Sequence, residues 1–200
     1  VQRRPAEGIH PLNLDVTGPA TVARWRPLVN WLLVIPQALW LLILWLGAVA
    51  VGVAGWFSIL LTGRMRESWG DYQMAVLRYH WRISAFLYAW TDRHPGFAPP
   101  AGYLDPGDDP AVLYCARPLR RNRVTVALRP VLLIPQYIVL YFVSIAAGAV
   151  LLVAWLAVLV TARWPAPMRR FVVGYFRWSA RVAGYGLLAT DEYPPFGFEA

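Results

Sequence analysis

Four arginines carry the most suggestive chemistry in this 200-residue chain. Arg78 and Arg82 are four residues apart, as are Arg177 and Arg181, so each pair shares one helical face. A guanidinium keeps its charge and matches phosphate oxygens with a planar fork. Each pair therefore suits an anionic lipid head group, or else it snorkels or bonds a neighbouring acid such as Asp71, Asp92 or Asp191. Arg64 and Arg163, each two residues after a Thr that can back-bond a helix, stand where a basic side chain reaches head groups. Catalytic spacing is missing elsewhere. Cys115 is alone, and His10, His80 and His94 form no metal-ligand pattern. No nucleophile elbow, phosphate loop or dinucleotide fingerprint occurs. Asp105, Asp108 and Asp109 lack the further ligands and closing Glu of a calcium loop, so they read as turn-forming acids. His80, between Arg78 and Arg82, would suit a lipid-phosphate enzyme, but Ser179 stands at the equivalent place later in the chain. The expectation is no catalytic residue, no metal and no cofactor.

These residues recur because the chain holds one unit twice. Arg24, Ile35, Pro36, Gln37, Trp56, Thr62, Arg64, Arg78, Arg82, Asp92, Pro95 and Phe97 each reappear 99 positions later, as Arg123, Ile134, Pro135, Gln136, Trp155, Thr161, Arg163, Arg177, Arg181, Asp191, Pro194 and Phe196. Residues 24–97 against 123–196 give 19 identities in 74 positions without a gap, which is a duplication.

Composition sets the class. With 58% hydrophobic and 14% aromatic residues the chain is too apolar for a soluble domain and reads as an all-α membrane protein. No charge occurs between Arg26 and Arg64 or between Arg129 and Arg163, and each run exceeds the roughly 20 residues that span a bilayer. A single helix of about 36 residues would be roughly 54 Å long, far beyond the hydrocarbon thickness. The expectation is therefore a short transmembrane hairpin in each unit, reversing near residues 47–52 and 146–148. Arginines flank both runs on both sides, which puts both termini in the cytoplasm and makes the protein multi-pass. An even number of spans per unit makes the repeats parallel, about an axis along the membrane normal. All nineteen basic residues are Arg, either from a GC-rich genome or for phosphate contact. The net charge of +8 fits an anionic leaflet better than nucleic acid, because the arginines abut the apolar runs.

The expected layout is an N-terminal tail (1–9), repeat 1 (10–97), a linker (98–108), repeat 2 (109–196) and a C-terminal tail (197–200). The hairpins cover about 27–63 and 126–162. A third element in each unit, about 67–91 and 168–190, mixes aromatics with its Arg pair and reads as an amphipathic helix in the membrane interface. Pro36 and Pro135 should kink the first span of each hairpin. Gln37 and Gln136 either line a cavity facing one another or complete a packing kink. Trp56 and Trp155 read as lipid or packing anchors. Each unit closes in an extended, Pro-containing segment. Alternating Leu12, Leu14 and Val16, with Leu113 and Cys115 in the second unit, could form two short strands that pair on the cytoplasmic face.

The strings Leu33-Val34-Ile35-Pro36-Gln37, Thr62-Gly63-Arg64, Leu133-Ile134-Pro135-Gln136, Thr161-Ala162-Arg163-Trp164-Pro165 and Tyr193-Pro194-Pro195-Phe196, with the Arg pairs, resemble a bacterial membrane-protein family catalogued as a domain of unknown function. That family often has His where Gln37 and Gln136 stand. The resemblance runs from about His10 to Phe196. The first unit departs from it, with Arg66 where the second has Pro165 and Gly96 where it has Pro195, as if one copy were freed for a different contact. The resemblance implies an architecture and no substrate.

Three classes of function follow. One is a non-enzymatic accessory or scaffold subunit that packs against a larger membrane protein complex and contacts anionic lipid. Another is a small lipid or solute carrier built on the repeat interface. The third, an enzyme acting on lipid phosphates, would need an acid or base beside the Arg pairs, and only Asp71, Asp92 and Asp191 are at hand.

Overall fold

A computed structural model of the chain describes residues 10–19, 21–116 and 121–198. The expected tail 1–9 and the last two residues of 197–200 lie outside that description. The element order is β1 (Leu12–Val16), α1 (Arg26–Thr62), α2 (Glu67–Leu87), β2 (Ala111–Cys115), α3 (Arg123–Thr161) and α4 (Ala166–Gly186). The protein is thus mostly helical, each repeat giving one long apolar helix and one shorter helix.

The strands pair as their alternation predicts, antiparallel, with Leu12 opposite Cys115 and Leu14 opposite Leu113. Their buried positions alternate because one face of this ribbon packs on the short helices. The packing is close: a Cβ on Gly184 of α4 would meet Leu12 Cδ1 at 2.1 Å.

The expected hairpins do not form. Each apolar run is one unbroken helix, of 37 residues for α1 and 39 for α3, passing through Pro36 and through Pro130 and Pro135. These two helices are long and apolar enough to cross a membrane. The small residues taken for a reversal serve another purpose. A Cβ on Gly47 would lie 2.4 Å from the Tyr72 hydroxyl, which donates to the Leu44 carbonyl, so the glycine is a notch that admits α2. With no polar turn on offer, i to i−4 bonding simply continues. Termination comes at Gly63 (φ 75°) and Ala162 (φ 57°), whose amides donate to the Ile59 and Val158 carbonyls. Left-handed geometry is natural to Gly and costs Ala about 1 kcal/mol.

The long helices of the two repeats run antiparallel. Trp56 Nε1 donates to the Val126 carbonyl (2.7 Å) and Trp155 Nε1 to the Pro27 carbonyl (2.9 Å). Donors and acceptors are both 99 apart, so the two bonds are one contact repeated about a pseudo-twofold axis. Leu14 and Leu113, also 99 apart, face each other in the sheet, and the axis passes between them. The buried stripes obey the same rule: Pro27, Asn30, Val34, Gln37, Leu41, Ala48, Gly55 and Ile59 of α1 match Val126, Arg129, Leu133, Gln136, Leu140, Ala147, Ala154 and Val158 of α3.

Three layers result. The long helices form one, α2 and α4 the next, and the sheet the third. The short helices are sandwiched between the other two layers: every residue of α2 from Gln73 to Tyr79 is buried, because α1, β2 and the linker surround it. Aromatic side chains, among them Trp81, Trp90 and Phe176, stack in this middle layer.

Candidate functional site

The Arg pairs lie inside the middle layer. Arg78, fully buried on α2, donates to the carbonyls of Gly102 (2.7 Å) and Tyr103, and its Nε is 3.5 Å from Asp105. Arg82 reaches both Asp105 (3.1 Å) and Asp108 (2.8 Å). Asp105 also accepts from the amides of Gly107 and Leu113, so one buried carboxylate ties the linker to α2 and β2 together. Burial pushes the Arg78 pKa down, and Asp105 works against that shift. Asp109 and Asp105 each close a turn by accepting from the amide two residues on, Ala111 and Gly107, as expected of turn-forming acids, and Asp105 and Asp108 are arginine partners as well.

In the second unit the same two positions meet carbonyls. Arg177 donates to Leu14 O (2.9 Å) with Asp15 at 3.6 Å, and Arg181 donates to Gly197 O (2.8 Å) and, at 3.4 Å, to Arg177 O. Arg181 Nη1 is buried with no partner among the described residues, and burial and Arg177 both lower its pKa. Arg64 and Arg163 are exposed at the ends of the long helices. Thr62 and Thr161 back-bond the Ser58 and Ala157 carbonyls (both 2.7 Å) and receive the Arg64 and Arg163 amides, which closes each helix end.

Gln37 and Gln136 do not face one another. Each is buried against the closing segment of its own unit, Gln37 Nε2 against His94 Nε2 (2.9 Å) and Gln136 Nε2 against the Pro194 carbonyl (2.7 Å). Trp178 Nε1 donates to Gln136 Oε1 (2.9 Å), whereas the equivalent Gln37 Oε1 has no partner among the described residues. Further ties hold the same segments: Arg26 to Asp92 (2.7 Å) and Trp40 to the Phe97 carbonyl in unit 1, Arg129 to Asp191 (2.7 Å) and Tyr193 to the Leu132 carbonyl in unit 2. The Ile-Pro-Gln string and the extended segment are therefore two halves of one clasp. Pro36 and Pro135 sit beside the Gln on the exposed side of the helix. Trp56 and Trp155 are the cross-unit ties already described.

The sequence reading missed Asn30 and Arg129. They are 99 apart and donate to equivalent carbonyls, Phe86 (2.6 Å) and Tyr185 (2.7 Å). The signal was that Arg129, which bounds the second apolar run, stands where the first unit has Asn30.

Two apolar cavities of about 520 and 490 Å³ flank the α1/α3 contact. One is lined by Trp31, Tyr88, Gly148, Leu152 and Trp155, the other by the equivalents Pro130, Leu187, Val49, Val53 and Trp56. A third, about 500 Å³, lies near the axis, with His80 and its counterpart Ser179 on its wall. Trp45 Nε1 lies 3.4 Å from His80 Nδ1, and burial lowers the His80 pKa to about 4. No group of three or more His, Cys, Asp or Glu side chains among the described residues has metal-holding geometry.

No curated protein and no solved structure gives a significant match to this chain. One family profile does match, over residues 24–98 and again over 123–197, with the 99-residue offset that relates the two clasps and the two Trp ties. The chain belongs to the family described as Domain of unknown function (DUF4389), present here in two consecutive copies.

Proposed function

We propose that this protein is a non-enzymatic integral membrane accessory or scaffold subunit that packs against a larger membrane protein complex and contacts anionic lipid head groups. The observation that carries this reading is the uncovered surface of α1 and α3. Both helices expose large apolar side chains along their whole length, among them Leu32, Leu39, Ile43, Leu46, Phe57, Val131, Ile138, Phe142, Leu152 and Val160. An apolar face of that extent needs lipid or another protein against it. Lipid contact falls to the exposed arginines at the helix ends, Arg64 and Arg163, since Arg78, Arg82, Arg177 and Arg181 are engaged within the fold. A non-catalytic role is supported by where the acids go: Asp105 and Asp191 neutralise buried guanidinium groups.

Native mass spectrometry of the protein, taken from its own membrane into lipid nanodiscs, tests this. A protein partner at fixed stoichiometry is the expected result. A lone chain under mild extraction defeats the scaffold reading. The paired apolar cavities favour a second reading, a lipid carrier at the repeat interface. In that case a lone chain would retain lipid, and Trp31 or Trp155 changed to Ala would release it.

A further inference from the structure

The exposed faces, the symmetry axis and the charge at the helix ends together fix how such a molecule sits in lipid. α1 and α3 are antiparallel and related by a twofold, so the axis is perpendicular to both helices and runs on through the Leu14–Leu113 pair of the sheet. If the long helices crossed the bilayer, that axis would lie in the bilayer midplane. The sheet would then sit at mid-depth, and so would Asp15, next to the axis residue Leu14, with half of its side chain exposed (52%). Charge at that depth is costly and is normally hidden. Length gives the same answer. The 37 residues of α1 make a rod of about 55 Å, and fitting it to about 30 Å of hydrocarbon needs a tilt of about 57°, beyond the roughly 0–40° that spanning helices show.

Turning the axis along the membrane normal removes both conflicts. The α1/α3 layer then lies flat, with its uncharged outer face in the acyl region, and the sheet side stands in water. Each end of the layer carries basic residues from both helices: Arg24, Arg26 and Arg163 at one, Arg64, Arg66 and Arg123 at the other. All of them then meet the head groups of a single leaflet. This also accounts for arginines on both flanks of each run, which a single crossing would divide between the two sides. We propose that this fold binds the membrane monotopically: its two long helices are embedded side by side in one leaflet, and neither crosses the membrane. The inference rests on the membrane reading above and commits the apolar face to the acyl chains of an anionic leaflet.

The test uses the full chain with Cys115→Ala, Thr21→Cys and Ser68→Cys, reconstituted in sealed vesicles of phosphatidylcholine and phosphatidylglycerol. Thr21 precedes α1 and Ser68 follows it, and both are exposed. The vesicles receive a membrane-impermeant maleimide and intact mass is read. One-leaflet embedding gives molecules carrying two labels or none, whichever leaflet they entered. Spanning gives one label per molecule. Nitroxides placed singly at Leu32, Leu42, Phe57 and Leu61 should report similar depths by collisional quenching, whereas a crossing would make Leu42 the deepest. One label per molecule with Leu42 deepest overturns the flat arrangement and leaves the membrane reading standing. Failure of the protein to float with the vesicles overturns the membrane reading itself.

Discussion

The two units share a backbone plan and differ in how they house buried charge. In unit 1 a guanidinium pair on α2 meets the linker carboxylates Asp105 and Asp108, while the long helix supplies Asn30 to the Phe86 carbonyl and Arg26 to Asp92. In unit 2 the pair on α4 meets mainly carbonyls, and Asp191, the equivalent of Asp92, is shared by Arg129 of the long helix and by Arg121 just before it. Arg129 also stacks 4.2 Å from the Tyr185 ring. Duplication preserved the donor positions while the acceptors drifted. A buried guanidinium needs some acceptor, and either a carboxylate or a row of carbonyls meets that need at different cost.

The largest effect should separate those two solutions. Asp105→Asn strips the carboxylate from Arg78 and Arg82, and breaking a buried pair from one side costs about 3–5 kcal/mol. Arg181→Met removes a guanidinium with no acid paired to it among the described residues and should be close to neutral. Denaturant unfolding in detergent micelles reads both, and equal losses would erase the distinction drawn here.

Next comes pH. His80 has no counterpart histidine, and its folded-state pKa lies near 4 against 6.5 for the free side chain. The unfolded chain therefore takes up the proton first, so His80's stabilisation is full above about pH 6.5 and is lost as pH falls toward 4. One pKa unit is about 1.4 kcal/mol, so the loss approaches about 3 kcal/mol. His80→Ser, which installs the residue found at position 179, should flatten thermal stability across that window. An unchanged slope would assign the pH dependence to other groups.

The clasps should differ by less. Gln136→Leu leaves the Trp178 donor and the Pro194 carbonyl unmatched, about 2 kcal/mol, while Gln37→Leu disturbs one bond, about 1 kcal/mol. Proteolysis of the segments at 92–97 and 191–196 would report each clasp opening by itself. The smallest contrast is expected at the axis. Trp56→Phe and Trp155→Phe remove the same contact and should each cost about 1 kcal/mol, equal within error. A large inequality would mean that the pseudo-symmetry of position is not one of energy.

Much of the fold was legible. The gapless offset of 99 residues makes the repeat visible, and alternation at Leu12, Leu14 and Val16 is enough to locate a strand. The partners of the Arg pairs were not legible, because Asp105 lies 27 positions from Arg78 in a segment whose composition speaks only of turns. Gln37 and Gln136 stood out by recurring, yet neither expectation for them, facing one another in a cavity or completing a packing kink, pointed to the closing segment of their own unit. A side-chain amide records a need for hydrogen bonds and says nothing of direction.

The sequence by itself determined that there are two equivalent units, each with a long uncharged helical run, a shorter helix bearing an Arg pair and an extended end. Those are local properties, set by periodicity, charge spacing and breakers. Only the tertiary structure decided that each run is a single helix and that the units meet antiparallel about an axis through Leu14 and Leu113. Hydropathy has no sign along the chain, so an apolar run of 36 residues reads alike whether it reverses or continues. That choice rests on contacts between residues far apart in sequence, such as Tyr72 in the notch at Gly47 and the reciprocal bonds of Trp56 and Trp155.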